Sequence, residues 1–156
     1  MKSADVCNPE LCPVVAEAIT WLRTPYHHKA RIKHVGVDCA MLLYGIYVEA
    51  LQLVPPFAFD DYPADWMLHR AEERFMTHVE AHSDLVEVPQ PGDVVLYKVG
   101  RCFAHGAVVM DWPTIIHADI RFGAVTQANG DEGHLAGRDR KFYRPRNKQA
   151  DAEVQA

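Results

Sequence analysis

A chain of 156 residues, 49% hydrophobic and 24% charged, suits one core of ordinary size and excludes a disordered or fibrous protein. Its 16 Lys and Arg against 21 Asp and Glu give a net charge of -5 with no basic run, which argues against nucleic acid as a partner. No run of about 18 apolar residues is present to span a membrane, and the Met1 to Val15 stretch lacks the basic start and apolar run of a secretory signal. The expectation is cytoplasmic synthesis of a single domain over residues 1–146, with 147–156 as a flexible tail.

In chain order, Asn8-Pro9 offers a helix cap and a helix-compatible proline. Val14, Val15, Ala18, Ile19 and Leu22 then recur at helical spacing, so a first helix is predicted to end near Arg23. Thr24-Pro25 breaks it, and a loop rich in His and Lys leads from Tyr26 to Gly36. A second helix follows Asp38-Cys39. Its Leu42, Leu43, Ile46, Tyr47, Ala50 and Leu51 are apolar nearly all round, as in a helix buried at the centre of a fold. Leu68, Ala71, Phe75 and Val79 predict a third helix from Asp65 to about His82.

After the Gln90-Pro91-Gly92-Asp93 turn the pattern becomes β-like. Strands are expected at Val94 to Val99, Gly106 to Met110, Thr114 to Ala118, Ala124 to Gln127 and Lys141 to Arg144. Helices first and an antiparallel meander second make an α+β fold, with N-terminal helices packed on a small antiparallel sheet.

The four cysteines, Cys7, Cys12, Cys39 and Cys102, form neither a CxxC pair nor a zinc-type cluster, and no metal or other cofactor is expected. A thiol attacks only as thiolate, and a helix N-terminus and a nearby imidazole both favour that form. Cys39 alone stands at a predicted helix start. A buried cysteine that merely packs is the plainer reading of Cys39 taken singly, and Cys102 is read as packing. His105 opens one apolar strand and His117 closes the next. In a hairpin turning near residue 112 the two fall on opposite sites of adjacent strands, so one imidazole can orient the other. Cys39, His105 and His117 thus supply a nucleophile, a base and an orienter.

Five segments in order carry a resemblance: Trp21-Leu22-Arg23-Thr24-Pro25-Tyr26, Gly36-Val37-Asp38-Cys39-Ala40-Met41-Leu42-Leu43, Pro91-Gly92-Asp93-Val94-Val95-Leu96-Tyr97, His105-Gly106-Ala107-Val108-Val109 and Ile115-Ile116-His117-Ala118. Together they resemble the motif series of NlpC/P60 cysteine peptidases, over roughly residues 14 to 145. The resemblance implies a papain-like fold with Cys39 as nucleophile, His105 as base and His117 as its orienting partner. It also implies that Tyr26 binds substrate or the oxyanion, and that Asp38 is a cap and local hydrogen-bonder beside the nucleophile. The implied reaction is hydrolysis of the γ-D-glutamyl to diamino-acid bond of peptidoglycan stem peptides, through a thioester.

Three features depart from the family pattern. Arg23 stands where a glycine is usual, Ala40-Met41 stands where Ser-Gly is usual, and the segment from Leu53 to Glu87 is long. The stretch Gly100 to His105 resembles phage-type members, which implies phage tail proteins as partners and action from a phage particle or at the cell wall. Two other readings remain open: an amidase or acyltransferase on the same scaffold, and a non-catalytic tail-assembly or binding module. His78 and His82 share a helix face as metal ligands do, but Glu80 is misplaced for a zinc peptidase and a solvated face is the simpler reading. The loop cations and histidines His27, His28, Lys29, Arg31, Lys33 and His34 are read as solvent-facing.

Overall fold

In a computed structural model, the structure describes residues 12–56 and 77–146. Helix α1 spans Pro13–Thr20, with proline in its first turn, where its missing N–H costs no hydrogen bond. The Asn8-Pro9 pair lies outside the described residues. The helix stops short of Arg23 because Trp21 to Arg23 form a turn, in which the Thr24 N–H bonds back to the Trp21 carbonyl at 3.0 Å.

The His- and Lys-rich loop is largely ordered by its own chain. It forms a two-stranded antiparallel ribbon of β1 (Arg31–Ile32) and β2 (Gly36–Val37), in which Arg31 faces Val37 and Ile32 faces Gly36. Its cations are engaged: Arg31 pairs with Glu49 and lies over the Tyr44 ring, and Lys33 pairs with Glu17 at 2.9 Å. The expectation of an idle, solvent-facing loop is therefore corrected for these two residues.

Helix α2 (Cys39–Leu43) runs directly into a π-helical segment, Tyr44–Ala50. Residues 39 to 48 are all buried, as expected of a helix apolar on every side. Tyr47 carries its polar end inward, and its hydroxyl donates to the Gly92 carbonyl at 2.8 Å, pinning the helix to the Pro91-Gly92 turn. Of the predicted third helix, residues 77–81 are helical as described and the remainder lies outside the described residues. His78 Nε2 donates to the Pro55 carbonyl at 2.6 Å and its ring meets that of His82 edge-on.

The sheet has six strands: β3 (Ser83–Val86), β4 (Val94–Val99), β5 (Cys102–Val109), β6 (Thr114–Asp119), β7 (Ala124–Asn129) and β8 (Arg140–Pro145). Their order is β3-β8-β4-β5-β6-β7, with every pair antiparallel. Strands β4 to β7 are the expected meander. Strand β8 departs from it, returning across the sheet to lie between β3 and β4. A charged clamp holds that return: the Arg144 guanidinium meets the buried Asp93 carboxylate through two bonds of 3.0 and 2.9 Å. Strand β3 escaped prediction because only four residues pair, and Leu85 is solvent-exposed in it.

The sheet divides the core. Val94, Leu96, Val108, Ile116 and Ala118 join α1 and α2 on one face, whereas Val95, Tyr97, Ala107, Val109, Ile115 and Leu135 cluster on the other. At Gly106 helix and sheet come closest. A Cβ there would stand 2.5 Å from Leu43 Cδ1, so the helix packs where a side chain is missing.

Candidate active site

Cys39 is the first residue of α2, and the preceding Asp38 caps it. One Asp38 carboxylate oxygen accepts the Met41 N–H and the other accepts the Lys29 N–H, both at 2.8 Å. This satisfies one orphan donor of the first turn and ties the loop to the helix start. Cys39 is buried at 4% exposure. Four residues on, Leu43 shares its helix face and packs against Gly106, and α2 contacts both β5 and β6. The cysteine helix therefore lies against the strands that carry His105 and His117.

Tyr26 is placed by two backbone bridges. It pairs with Val37, two residues before Cys39, while the neighbouring Pro25 pairs with Ala124 of β7. Its N–H donates to the Gly123 carbonyl at 2.8 Å. The segment is thereby threaded between β2, which leads to Cys39, and the sheet edge, and the tyrosine is half-buried there.

His105 and His117 meet. His105 Nε2 lies 2.8 Å from His117 Nδ1, with the rings edge to face at a centroid distance of 5.0 Å. The hairpin that joins them is not in the expected register. Val108 faces Ile116 and Val109 faces Ile115, so continuing the ladder would set Ala107 opposite His117 and leave His105 diagonal to it. The two imidazoles share one face of the sheet, and the diagonal is within aromatic reach. The turn is centred on residue 112 as expected, with Met110 bonded to Thr114 across it, and that centre sets His117 opposite position 107; opposite sites for 105 and 117 would need a centre at 111. On the other side of β5 the ladder shifts between Tyr97 and Lys98: Tyr97 pairs with His105 and Lys98 with Phe103, leaving position 104 as the extra residue. A bulge of this kind next to a functional side chain re-aims it.

Burial dominates the electrostatics of the pair. It disfavours the imidazolium and holds His105 down to about 3, with His117 adding a smaller push in the same direction. Burial also holds His117 down to about 4, against a partial upward pull from Asp119. Both rings are neutral at pH 7, the form in which an imidazole can take a proton.

Two neighbours of His117 were missed in the sequence. Asp119 Oδ2 is 3.9 Å from His117 Nε2, and the His134 ring, carried by a short 3-10 turn at Gly133–Leu135, stacks 6.4 Å away. Asp119 had a usable signal, since it follows His117 by two residues and so shares its strand face. His134 had none. Among the described residues no group of three or more His, Cys, Asp or Glu is arranged to hold a metal ion. No described helix is long and apolar enough to cross a membrane.

Solved structures share this architecture. The chain matches the NlpC/P60 domain of the peptidoglycan hydrolase SagA at a TM-score of 0.56 and 20% identity, over 86% of this chain and 97% of that one. The fold is that of an NlpC/P60 domain. NlpC1 from Trichomonas vaginalis matches at a TM-score of 0.62 and 13% identity, over 93% of this chain and 46% of that one. The peptidoglycan hydrolase RipB from Mycobacterium tuberculosis matches at 0.56 and 17% identity, over 87% and 64%. This chain thus spans nearly all of the SagA domain, but under half of the NlpC1 chain and under two thirds of the RipB chain. No family model and no curated protein matches at the level of sequence. The NlpC/P60 likeness is therefore one of backbone architecture, on which the residues around Cys39 and His105 must be judged for themselves.

Proposed function

We propose that this chain is a cysteine peptidase that hydrolyses peptidoglycan stem peptides at the γ-D-glutamyl to diamino-acid bond. The observation that carries this reading is the His105–His117 pair. With His105 Nε2 taken up by His117 Nδ1, the other ring nitrogen, Nδ1, is the one we assign to the Cys39 thiol, on a strand that α2 contacts. The NlpC/P60 fold, shared with domains described as peptidoglycan hydrolases, supports the choice of substrate class.

In the proposed cycle, neutral His105 accepts the Cys39 proton and the thiolate attacks the scissile carbonyl carbon. The α2 start favours the thiolate through the partial positive charge of its first turn. The oxyanion is held by the Cys39 backbone N–H and the Tyr26 hydroxyl. Collapse of the tetrahedral species breaks the C–N bond, and the imidazolium returns its proton to the departing amine. His105 then takes a proton from water, whose oxygen attacks the thioester and releases the acid and the thiol. Asp38 acts by fixing the helix start and has no part in proton transfer. The phage-type assignment rests on the Gly100 to His105 stretch alone, and the chemistry does not depend on it.

The test is digestion of peptidoglycan fragments, read by mass spectrometry, with wild type beside Cys39→Ala and His105→Ala. Wild type should cut between D-glutamate and the diamino acid, and each variant should lose at least about 100-fold in rate. Wild type that leaves every fragment intact, or a Cys39→Ala protein that still cuts, would refute the proposal.

A further inference from the structure

The imidazole pair raises a question of proton placement. Two neutral imidazoles share one proton across the Nε2 to Nδ1 contact, and only one arrangement leaves His105 able to act as a base. If His105 carries its proton on Nε2 and donates to His117, its Nδ1 has a lone pair for the thiol. His117 must then be protonated on its own Nε2. In the opposite arrangement His117 Nδ1–H donates, His105 Nε2 accepts, and the proton of His105 sits on the nitrogen that should face Cys39.

The surroundings of His117 decide between the two. Its ring is 1% exposed, and its Nε2 has no hydrogen-bond partner in the structure. The Asp119 carboxylate faces that nitrogen at 3.9 Å, a gap that a small rotation of Asp119 or one bridging water closes. The other polar groups near the pair are either committed or do not meet that nitrogen. The Tyr97 hydroxyl donates to the Gly130 carbonyl, Arg138 bonds the His134 and Lys98 carbonyls, and the His134 ring stacks on His117. Asp119 is itself held in place, because its Oδ1 accepts the Arg121 N–H at 2.9 Å across the β6–β7 turn. That leaves Oδ2 as the atom turned to the ring.

We infer that Asp119 is a positioning residue that locks His117, and through it His105, in the Nε2–H tautomer, making a Cys39–His105–His117–Asp119 relay in place of a triad. The carboxylate need not be protonated at any step. It fixes where protons reside and offsets the charge that forms on the imidazole pair when Cys39 ionises, as the buried aspartate of a serine-protease triad does for its histidine. This inference rests on His105 as the base of the proposed peptidase.

Asp119→Asn is the informative substitution. Its Oδ1 can still accept the Arg121 N–H, so the turn is retained, while an NH2 group replaces the acceptor opposite His117 Nε2. Two donors cannot face each other there, so His117 should switch to Nδ1–H and drive His105 to Nδ1–H. Two-dimensional 15N–1H NMR of histidine-labelled protein at pH 7 reads both tautomers directly, with or without substrate. The expected result is Nε2–H for both rings in wild type and Nδ1–H for both in Asp119→Asn. Alkylation of Cys39 should slow about 100-fold in that variant and recover in Asp119→Glu. Nδ1–H on His117 in wild type, or unchanged tautomers in Asp119→Asn, overturns the inference, and the wild-type measurement needs no variant to fold. A tautomer switch with unchanged Cys39 reactivity would uphold the Asp119 lock and refute His105 as the base, which separates the two failures.

Discussion

Arg23 shows how a single departure from a motif acquires a physical meaning. It stands where the resembling family usually has glycine, and its φ is +72°, in the left-handed region that glycine enters without penalty. Its backbone N–H is committed to the Val125 carbonyl at 2.9 Å, so the conformation is imposed by the link between the turn and β7. Arg23→Gly should relieve the strain by more than the entropy it adds to the unfolded chain, for a net gain of about 0.5–1 kcal/mol in urea unfolding. A loss of stability would mean that the arginine side chain contributes contacts outweighing the strain. The helix start that carries Cys39 and the strand that carries His105 were legible from local pattern. Asp119 was legible only as a residue on the same strand face as His117; its role comes from the unpartnered nitrogen it faces, and burial of that nitrogen is a property of the folded sheet alone.

Helix α2 and strand β5 are mated through a missing side chain. The Cβ of an alanine at position 106 would stand 2.5 Å from Leu43 Cδ1 and 3.2 Å from Leu96 Cδ2, and both leucines are fully buried. Neither can swing into solvent, so the helix must lift or the strand must bend. Gly106→Ala should therefore cost about 1–3 kcal/mol and slow Cys39 alkylation as well. Unchanged stability and unchanged thiol reactivity would show that helix and strand are not rigidly coupled. The strands were legible as β from their alternation, and Val94 to Val99 was placed to the residue. The β5–β6 register was not, since it depends on how the chain turns between Met110 and Thr114. Nor was the bulge at 104, which follows from β4 and β5 pairing out of step.

Across the whole molecule, burying two neutral imidazoles links stability to pH. The ordinary histidine value is 6.5, and the folded chain lowers His105 to about 3 and His117 to about 4. Between those values and 6.5 the unfolded chain binds more protons than the folded one. Stability is therefore full above about pH 6.5 and falls on acidification, by up to about 1.4 kcal/mol per pH unit for each ring. Urea unfolding from pH 7 down to about 4 should show a flatter slope in a His105→Gln, His117→Gln double variant than in wild type. Parallel slopes would mean that the rings are protonated in the folded state without penalty. The sequence by itself determined the α+β class, the buried second helix with Cys39 at its start and Asp38 as its cap, and the two strands bearing His105 and His117, because each is written in local periodicity and capping chemistry. Only the tertiary structure decided the β3-β8-β4 edge, the diagonal meeting of the imidazoles and the Asp119 contact. Each of these depends on register and on chain return between distant segments, which local pattern does not encode.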